Sequence, residues 1–193
     1  MTHMTLSHFF AGRLDRFAFG SPERARQRAE RLCEASPGRA FALFVVAAEA
    51  GDAEASFRVG ECLVEGKGTP NDLVEAARWY HRAAIAGHVR AQCGLAQLHL
   101  FGLPEAAVER DAGLFEPVAS SQADFHAAEI WAHRAADAGA ADAQAMLAYI
   151  FSAGPPDLRH PEAAFDWYRR SAEQDCPQGQ LGYAIALMMR DST

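Results

Sequence analysis

A tryptophan-containing segment with a pair of small residues recurs along this chain, and an internal repeat constrains the fold more than any single element does. The copies align without gaps: WYHRAAIAG at 79–87, WAHRAADAG at 131–139, WYRRSAEQD at 167–175 and the degenerate LFVVAAEAG at 43–51. The ends of successive copies lie 36, 52 and 36 residues apart. The middle unit is therefore the same unit carrying about sixteen extra residues.

A second signature precedes each full copy and indicates that one unit is a pair of helices. Its copies are VGECLVEG at 59–66, LAQLHLFG at 95–102 and LAYIFSAG at 147–154. Apolar residues recur at helical rather than alternating spacing, so each unit is predicted to be helix A, a loop and helix B. One pair cannot bury its apolar face alone, so the pairs are expected to stack, with Trp79, Trp131 and Trp167 in the core.

Residues at the helix ends support this division. Asp72 and Asp124 stand before two B helices as N-caps, and Glu75 follows Asp72 at the spacing of a capping box. Pro161 occupies the expected first position of the third B helix. Glycine closes the other B helices, but Asp175 stands in its place in the last copy. We therefore expect a less regular turn at Asp175.

The recurring pattern of small residues, glycine, N-cap Asp and W(Y)xxAAxxG resembles the Sel1-like repeat, a relative of the tetratricopeptide repeat. The resemblance covers roughly residues 40–190. Leu43 replaces tryptophan in the first copy, and the family's GxGV loop is clear only as GKGT at 66–69. The resemblance implies an all-α, right-handed solenoid of about nine helices in antiparallel pairs. It also implies a scaffold or adaptor role without a cofactor.

Three parts of the chain are expected: an aromatic segment at 1–20, a capping helix pair at 21–51 and the repeats at 52–193. The repeats divide into 52–87, 88–139 with an insert at 103–124, 140–175 and a terminal helix at 176–190. The aromatic segment either packs on the first pair or binds a partner. The insert either covers the array edge or contacts a partner. The terminal helix is a cap, an interface or the start of further repeats.

Charge and cysteine usage exclude several classes of function. The formal net charge of −7 argues against a nucleic-acid partner, which requires a basic surface. Four cysteines lie far apart without metal-binding spacing and are expected to be reduced. The N-terminus is a poor secretory signal, and no stretch reaches the roughly 20 apolar residues of a membrane span. We therefore expect a bacterial, cytoplasmic protein without a membrane span.

A search for catalytic chemistry finds no convergent group of residues. Phosphate-binding, nucleophile-elbow and zinc-protease motifs are absent from the sequence. His81 and His133 occupy equivalent positions in two repeats, which favours solvated helix positions over ligands. His126 shares a helix face with His133, a weak pattern for a metal site. We predict no catalytic residue and no metal site; a hydrolase on a helical-repeat scaffold is the alternative.

The family resemblance also suggests where a partner binds, because A helices line the concave surface of tetratricopeptide-like stacks. Carrying over the groove-facing positions predicts seven partner-binding residues: Phe57, Glu61, Gln97, Phe101, Tyr149, Leu181 and Ile185. The track is acidic in the first unit and becomes apolar toward the last. The expected partner is a protein segment, either a peptide or a helix. Two alternatives stand beside it: Phe57, Leu100 and Phe101 fill gaps between helices, or the terminal helix mediates homo-oligomerisation.

Overall fold

The computed structural model describes residues 21–102 and 123–191, and within these residues all regular structure is helical. The nine α-helices are α1 Pro22–Leu32, α2 Pro37–Glu49, α3 Ala53–Glu65, α4 Leu73–Ile85, α5 Val89–Phe101, α6 Phe125–Asp137, α7 Ala141–Ala153, α8 Pro161–Ala172 and α9 Pro177–Arg190. A 3₁₀ turn, Pro156–Leu158, precedes α8. The predicted all-α architecture is confirmed. The aromatic segment 1–20 and residues 103–122 of the insert lie outside the described residues.

Each helix packs against its successor, so the chain forms a stack of antiparallel pairs. The odd-numbered helices from α3 onward are the predicted A helices, and α2, α4, α6 and α8 are the B helices. The A helices approach one another more closely than the B helices do, since α7 contacts both α5 and α9. The array therefore curves toward its A helices, whose exposed sides form its concave surface.

The packing between units depends on matched side-chain sizes. The Tyr80 ring of α4 lies between Gly60 of α3 and Gly94 of α5, where an added Cβ would come within 2.5 and 2.9 Å of the ring. Tyr168 of α8 lies equally close against Gly182 of α9. In these two places the tyrosine therefore requires glycine on the A helix that follows.

The middle unit reverses this size pattern. Ala132 of α6 stands at the position of Tyr80 and Tyr168, and Met146 of α7 stands at the position of Gly94 and Gly182. Ala132 is fully buried, and Met146 packs against the same core. The longer Met side chain fills the space that the smaller Ala132 leaves.

The repeated tryptophans form a row along the B helices, and each carries the guanidinium of an arginine three residues later. The distance from the arginine Cζ to the centre of the tryptophan ring is 4.5 Å for Arg82 and Trp79. It is 4.7 Å both for Arg134 and Trp131 and for Arg170 and Trp167. Trp131 is buried, whereas Trp79 and Trp167 are half-buried. The prediction of three core tryptophans is therefore confirmed for Trp131 and only partly for the other two.

The two equivalent histidines each contact a tryptophan of the next B helix, and the His133 side chain remains 44% exposed, as expected of a solvated helix position. The His81 ring packs edge-on against that of Trp131, with the ring centres 5.7 Å apart. The ring centres of His133 and Trp167 are 6.0 Å apart in the same arrangement. His81 is half-buried, and the His133 imidazole also pairs with the Asp137 carboxylate at 3.0 Å. The histidines recur because each connects one B helix to the tryptophan of the next B helix.

The predicted N-caps are confirmed, but the capping box is not. Asp72 accepts hydrogen bonds from the backbone N–H groups of Val74 and Glu75, and Asp124 caps α6 in the same way. The Glu75 carboxylate instead pairs with Arg78 at 2.9 Å. The Asp72 backbone N–H donates to the carbonyl of Leu63 at the end of α3.

The turn at Asp175 keeps the two closing hydrogen bonds of a glycine turn, but α8 ends one residue earlier than α4 and α6 do at the equivalent position. Asp175 has φ 59°, and it is the only described residue other than glycine with a positive φ. Its N–H donates to Ala172, and that of Cys176 donates to Ser171. Gly139 and Ala140 make the same two bonds in the preceding unit. Asp tolerates this left-handed conformation better than most side chains.

Two A helices, α7 and α9, lack a side-chain N-cap, and the backbone before α7 could accommodate one. Ala140 precedes α7 with φ −68° and ψ 114°, close to the −74° and 113° of Asp52, whose carboxylate caps α3. We expect Ala140→Asp to raise the free energy of unfolding by about 1 kcal/mol, because the new carboxylate accepts an N–H that has no acceptor within α7. Chemical denaturation followed by circular dichroism measures this.

The control for this prediction adds the same charge two residues earlier. Ala138→Asp places the carboxylate at the C-terminal end of α6, where the helix dipole disfavours it. We expect this variant to be no more stable than the parent. Equal stabilisation by both variants would contradict the capping explanation.

Candidate partner-binding surface

The repeat spacing identifies equivalent positions on the four A helices, and their exposure divides the predicted residues into two sets. One row faces the concave side and consists of Glu61, Gln97, Tyr149 and Ile185. A neighbouring concave row consists of Glu65, Phe101, Ala153 and Met189. All eight residues are exposed except Glu61, which is half-buried. Predicted residues from all four units therefore meet on one surface.

Phe57 and Leu181 belong to a third row, which faces the next unit rather than the groove. Phe57 is only 3% exposed, and its ring stacks on those of Tyr80 and His88. The gap-filling alternative therefore applies to Phe57, and to the buried Leu100 as well. Leu181 is exposed, although its equivalent Phe57 is buried. Neither Phe57 nor Leu181 lies in the two concave rows.

The acidic first unit is an ion-paired network instead of a free acidic patch. Arg58 contacts Glu54 at 2.8 Å and Glu61 at 2.9 Å. Arg90 of the next A helix contacts Glu61 at 3.0 Å and lies over the ring of Phe57. The network neutralises most of the acidic charge and connects α3 to α5. A partner segment would meet little net charge here apart from exposed Glu65.

Glu54 and His88 complete this network. Burial alone would raise the pKa of Glu54, but the hydrogen bond from His88 and the charge of Arg58 outweigh it and lower that pKa. His88 Nδ1 accepts the backbone N–H of Ala91 and thereby caps α5. Nε2 must then carry the proton and donate to Glu54 at 2.8 Å. The sequence prediction did not include Arg58, although its spacing from Glu54 and Glu61 was a signal for ion pairs on one helix.

Apolar side chains dominate the concave surface from the second unit onward. Phe101 is exposed at the end of α5, and Tyr149 is 46% exposed in the middle of α7. Beside Tyr149, the Ser152 hydroxyl donates to the Tyr149 carbonyl and lies 3.4 Å from the Tyr168 hydroxyl. Ile185 continues the same row on α9. The surface thus combines exposed rings and aliphatic groups with a few hydroxyls.

An open cleft of about 360 Å³ adjoins the first unit, between α1, α2 and α3. Cys33 and Cys62 line it together with glutamates and Arg58, and both thiols are free. Burial, the neighbouring Cys33 and nearby glutamates raise the pKa of Cys62 to about 11. A thiol with so high a pKa is a poor nucleophile at neutral pH. Cys62 is therefore not an activated thiol.

Two further structural properties concern metal binding and membranes. Within residues 21–102 and 123–191, His, Cys, Asp and Glu side chains form no group of three that could hold a metal ion. No helix in the same part of the chain combines the length and apolar character required to cross a bilayer.

Comparison with protein families finds the repeat along most of the chain. The sequence model of the Sel1 repeat matches residues 31–52, 53–88, 89–114, 119–139 and 141–176. The matches to 53–88 and 141–176 each span one A helix and its B helix. The crystal structure of a Sel1 repeat protein from Oxalobacter formigenes has a TM-score of 0.72 and 24% sequence identity. That similarity covers 89% of this chain and 64% of the other, and it shows a shared fold.

Curated relatives are regulators of chitin synthase from fungi. The chain is 31% identical over 153 residues to chitin synthase regulatory factor 3 of Schizosaccharomyces pombe, which covers 76% of this chain. It is 30% identical over 134 residues to chitin synthase regulator SKT5 of Saccharomyces cerevisiae, which covers 69% of this chain. The chain spans only 14% and 17% of these relatives. Both are fungal, so they give no support to a bacterial source.

Proposed function

Because the chain belongs to the Sel1 repeat family, we propose that it is a non-catalytic adaptor, which binds a segment of a partner protein along the concave surface of its A helices. The observation that carries the proposal is the pair of exposed rows on these helices. Their apolar members are Phe101, Tyr149, Ile185 and Met189, and they come from three successive units. Adjacent packed helices lie about 8–10 Å apart, so these side chains can contact several turns of a bound helix or peptide.

Tyr149 is the expected anchor of the bound segment. Its ring is half-exposed at the centre of the row, while its hydroxyl remains able to hydrogen-bond. Aromatic residues near the centre of an interface often carry most of the binding energy. The ion-paired network around Glu61 forms the other end of the surface and holds α3 against α5, which keeps the surface preorganised.

The relatives support a regulatory role through binding. Their names describe regulators of an enzyme, chitin synthase, and the regions shared with this chain are repeat regions. An adaptor that brings a partner to its target would use the same kind of surface. We therefore propose that this chain regulates a partner protein by binding to it. Chitin synthase is the target named for those relatives, and it is not part of the proposal for this chain.

The hydrolase alternative finds less support in the chemistry of the described residues. Burial raises the pKa of Cys93 to about 11, as it does for Cys62, and both thiols stay protonated. Burial also lowers the pKa of His99, although Asp124 opposes this, and the imidazole stays neutral inside the core. These shifts reduce thiolate and imidazolium populations instead of preparing a nucleophile.

Truncation of the concave aromatic residues tests the proposed function. Affinity capture with quantitative mass spectrometry first identifies the partner, and binding is then measured with the purified pair. We expect Tyr149→Ala to weaken binding about tenfold or more, because central aromatic anchors contribute about 2 kcal/mol or more. Phe101→Ala should weaken it as well. Both side chains are exposed, so the thermal midpoint should change little.

Ile85→Ala is the matched control for this test. Ile85 is as exposed as the concave residues but lies at the end of the B helix α4. The control should bind like the parent. The groove assignment is wrong if Tyr149→Ala and Phe101→Ala both bind normally, and loss of the partner by Ile85→Ala would also contradict it.

A further inference from the structure

The middle helix pair, α5 and α6, carries a histidine at a core position where the neighbouring units carry an apolar residue. His99 of α5 corresponds to Leu63 of α3 and to Phe151 of α7. All three residues are buried, and His99 is only 5% exposed. Leu95 and Ala96, one turn earlier on α5, belong to the larger core cluster. The middle unit therefore places a titratable ring where its neighbours place hydrocarbon.

The same position also connects the A helix of each unit to its B helix. The carbonyl of His99 accepts the backbone N–H of Asp124, the N-cap of α6, at 2.8 Å. In the first unit the carbonyl of Leu63 accepts the N–H of Asp72 at 3.0 Å, and Phe151 makes the corresponding bond in the third unit. The side chain of His99 is thus packed at the point where α5 and α6 are joined. Its expulsion from the core would disturb that connection directly.

The surroundings of the His99 ring suit a neutral imidazole and disfavour an imidazolium. Its Nε2 atom is buried and has no hydrogen-bond partner within residues 21–102 and 123–191. An imidazolium carries N–H donors on both nitrogens, so protonation would bury an unpaired donor together with a charge. Burial lowers the pKa of His99 for the same reason. The ring therefore stays in the core only while it is neutral.

The charged groups on the helices that pack against α5 do not offset this cost. Asp124, before α6, favours the imidazolium and His81 of α4 opposes it, but burial has the largest effect on the His99 pKa. The Asp124 carboxylate already accepts a backbone N–H as the cap of α6, and the buried residues of α6 itself are uncharged. The charged residue of α7, Asp142, lies in its first turn and acts on Cys93, near the start of α5. A protonated His99 would lack a partner or compete for the cap of α6.

We propose that His99 makes the middle helix pair an acid-sensitive joint: when its ring gains a proton it leaves the core, and α6 separates from α5. The opened chain takes up the proton near the ordinary imidazole pKa of about 6.5, whereas the closed chain resists it. The joint is therefore fully stable above about pH 6.5 and loses stability as the pH falls below that value. The neighbouring helix pairs have Leu63 and Phe151 at this position and stay closed. The joint is a property of the fold and does not depend on the proposed binding of a partner.

Denaturant unfolding of the parent and His99→Leu at pH 7.5 and pH 5.5 tests this proposal. The variant should fold, because leucine occupies the same position in α3 as Leu63. Acid should raise the unfolding equilibrium constant of the parent more than that of the variant, by several-fold and at most about tenfold, because one proton is taken up over about one pH unit below 6.5. An equal gain in stability at both pH values would overturn the proposal, because it would reflect packing and not protonation.

His126→Gln is the control at an exposed imidazole of the same helix pair. His126 pairs with Asp157 at 2.7 Å, a contact that favours the folded state in acid. This variant should therefore keep the acid sensitivity of the parent, and its loss would contradict the assignment to His99.

Hydrogen exchange with mass spectrometry, corrected for the intrinsic effect of pH on exchange, locates the opening. In the parent, α5 and α6 should lose more protection at pH 5.5 than α3 and α4 do, and His99→Leu should restore that protection. A loss of protection that is uniform along the array, or one that His99→Leu leaves unchanged, would overturn the proposal.

Discussion

Replacement of Trp131 by alanine is expected to lower the free energy of unfolding by about 3–5 kcal/mol, the usual effect of removing a buried large aromatic side chain. Trp131 is 9% exposed and lies in the larger of the two core clusters. His81 of the preceding B helix meets its ring, and Arg134 covers it. The truncation leaves a cavity between two units and removes the contact that connects α4 to α6. Chemical denaturation followed by circular dichroism measures the change.

The other two tryptophans provide an internal control for this prediction. Trp79 and Trp167 occupy the same repeat position but are only half-buried. Trp79→Ala and Trp167→Ala should therefore destabilise the chain less than Trp131→Ala does, because less apolar area is lost from the core. Equal effects at all three positions would show that repeat position alone determines their contribution.

Substitution of Gly68 is the second large effect that we expect. Gly68 has φ 78°, and a Cβ there would lie 2.3 Å from the carbonyl oxygen of Pro37 at the start of α2. The left-handed conformation costs a non-glycine residue about 1–2 kcal/mol. Overlap with fixed backbone adds about 1–3 kcal/mol. Gly68→Ala should therefore lower the free energy of unfolding by the sum of both terms, as measured by denaturant unfolding.

Gly66 separates the two contributions. It has φ 69°, also left-handed, but an added Cβ would meet nothing closer than 3.7 Å. Gly66→Ala should show the conformational term alone and destabilise the chain by about 1–2 kcal/mol. If Gly68→Ala were no more harmful than Gly66→Ala, the contact between this loop and α2 would not contribute to stability.

Local sequence determined the helices and their boundaries. The starts of α4 and α6 follow from the capping side chains Asp72 and Asp124, so local sequence is sufficient to predict them. The 36-residue period likewise identified equivalent positions, because each unit must bury the same apolar stripe against its neighbours. The capping box failed at Glu75, where Arg78 competes for the carboxylate.

Only the tertiary structure decided which equivalent residues are exposed, because exposure depends on the elements packed on both sides of a unit. Phe57 and Leu181 share one repeat position, yet Phe57 is buried between units and Leu181 is 64% exposed on α9. Glu61 of the first unit is paired with Arg90, which comes from the next A helix and could not be placed beside it from local sequence. The repeat period identifies which residues are equivalent. The side chains packed around each residue determine whether it stabilises the core or remains available to a partner.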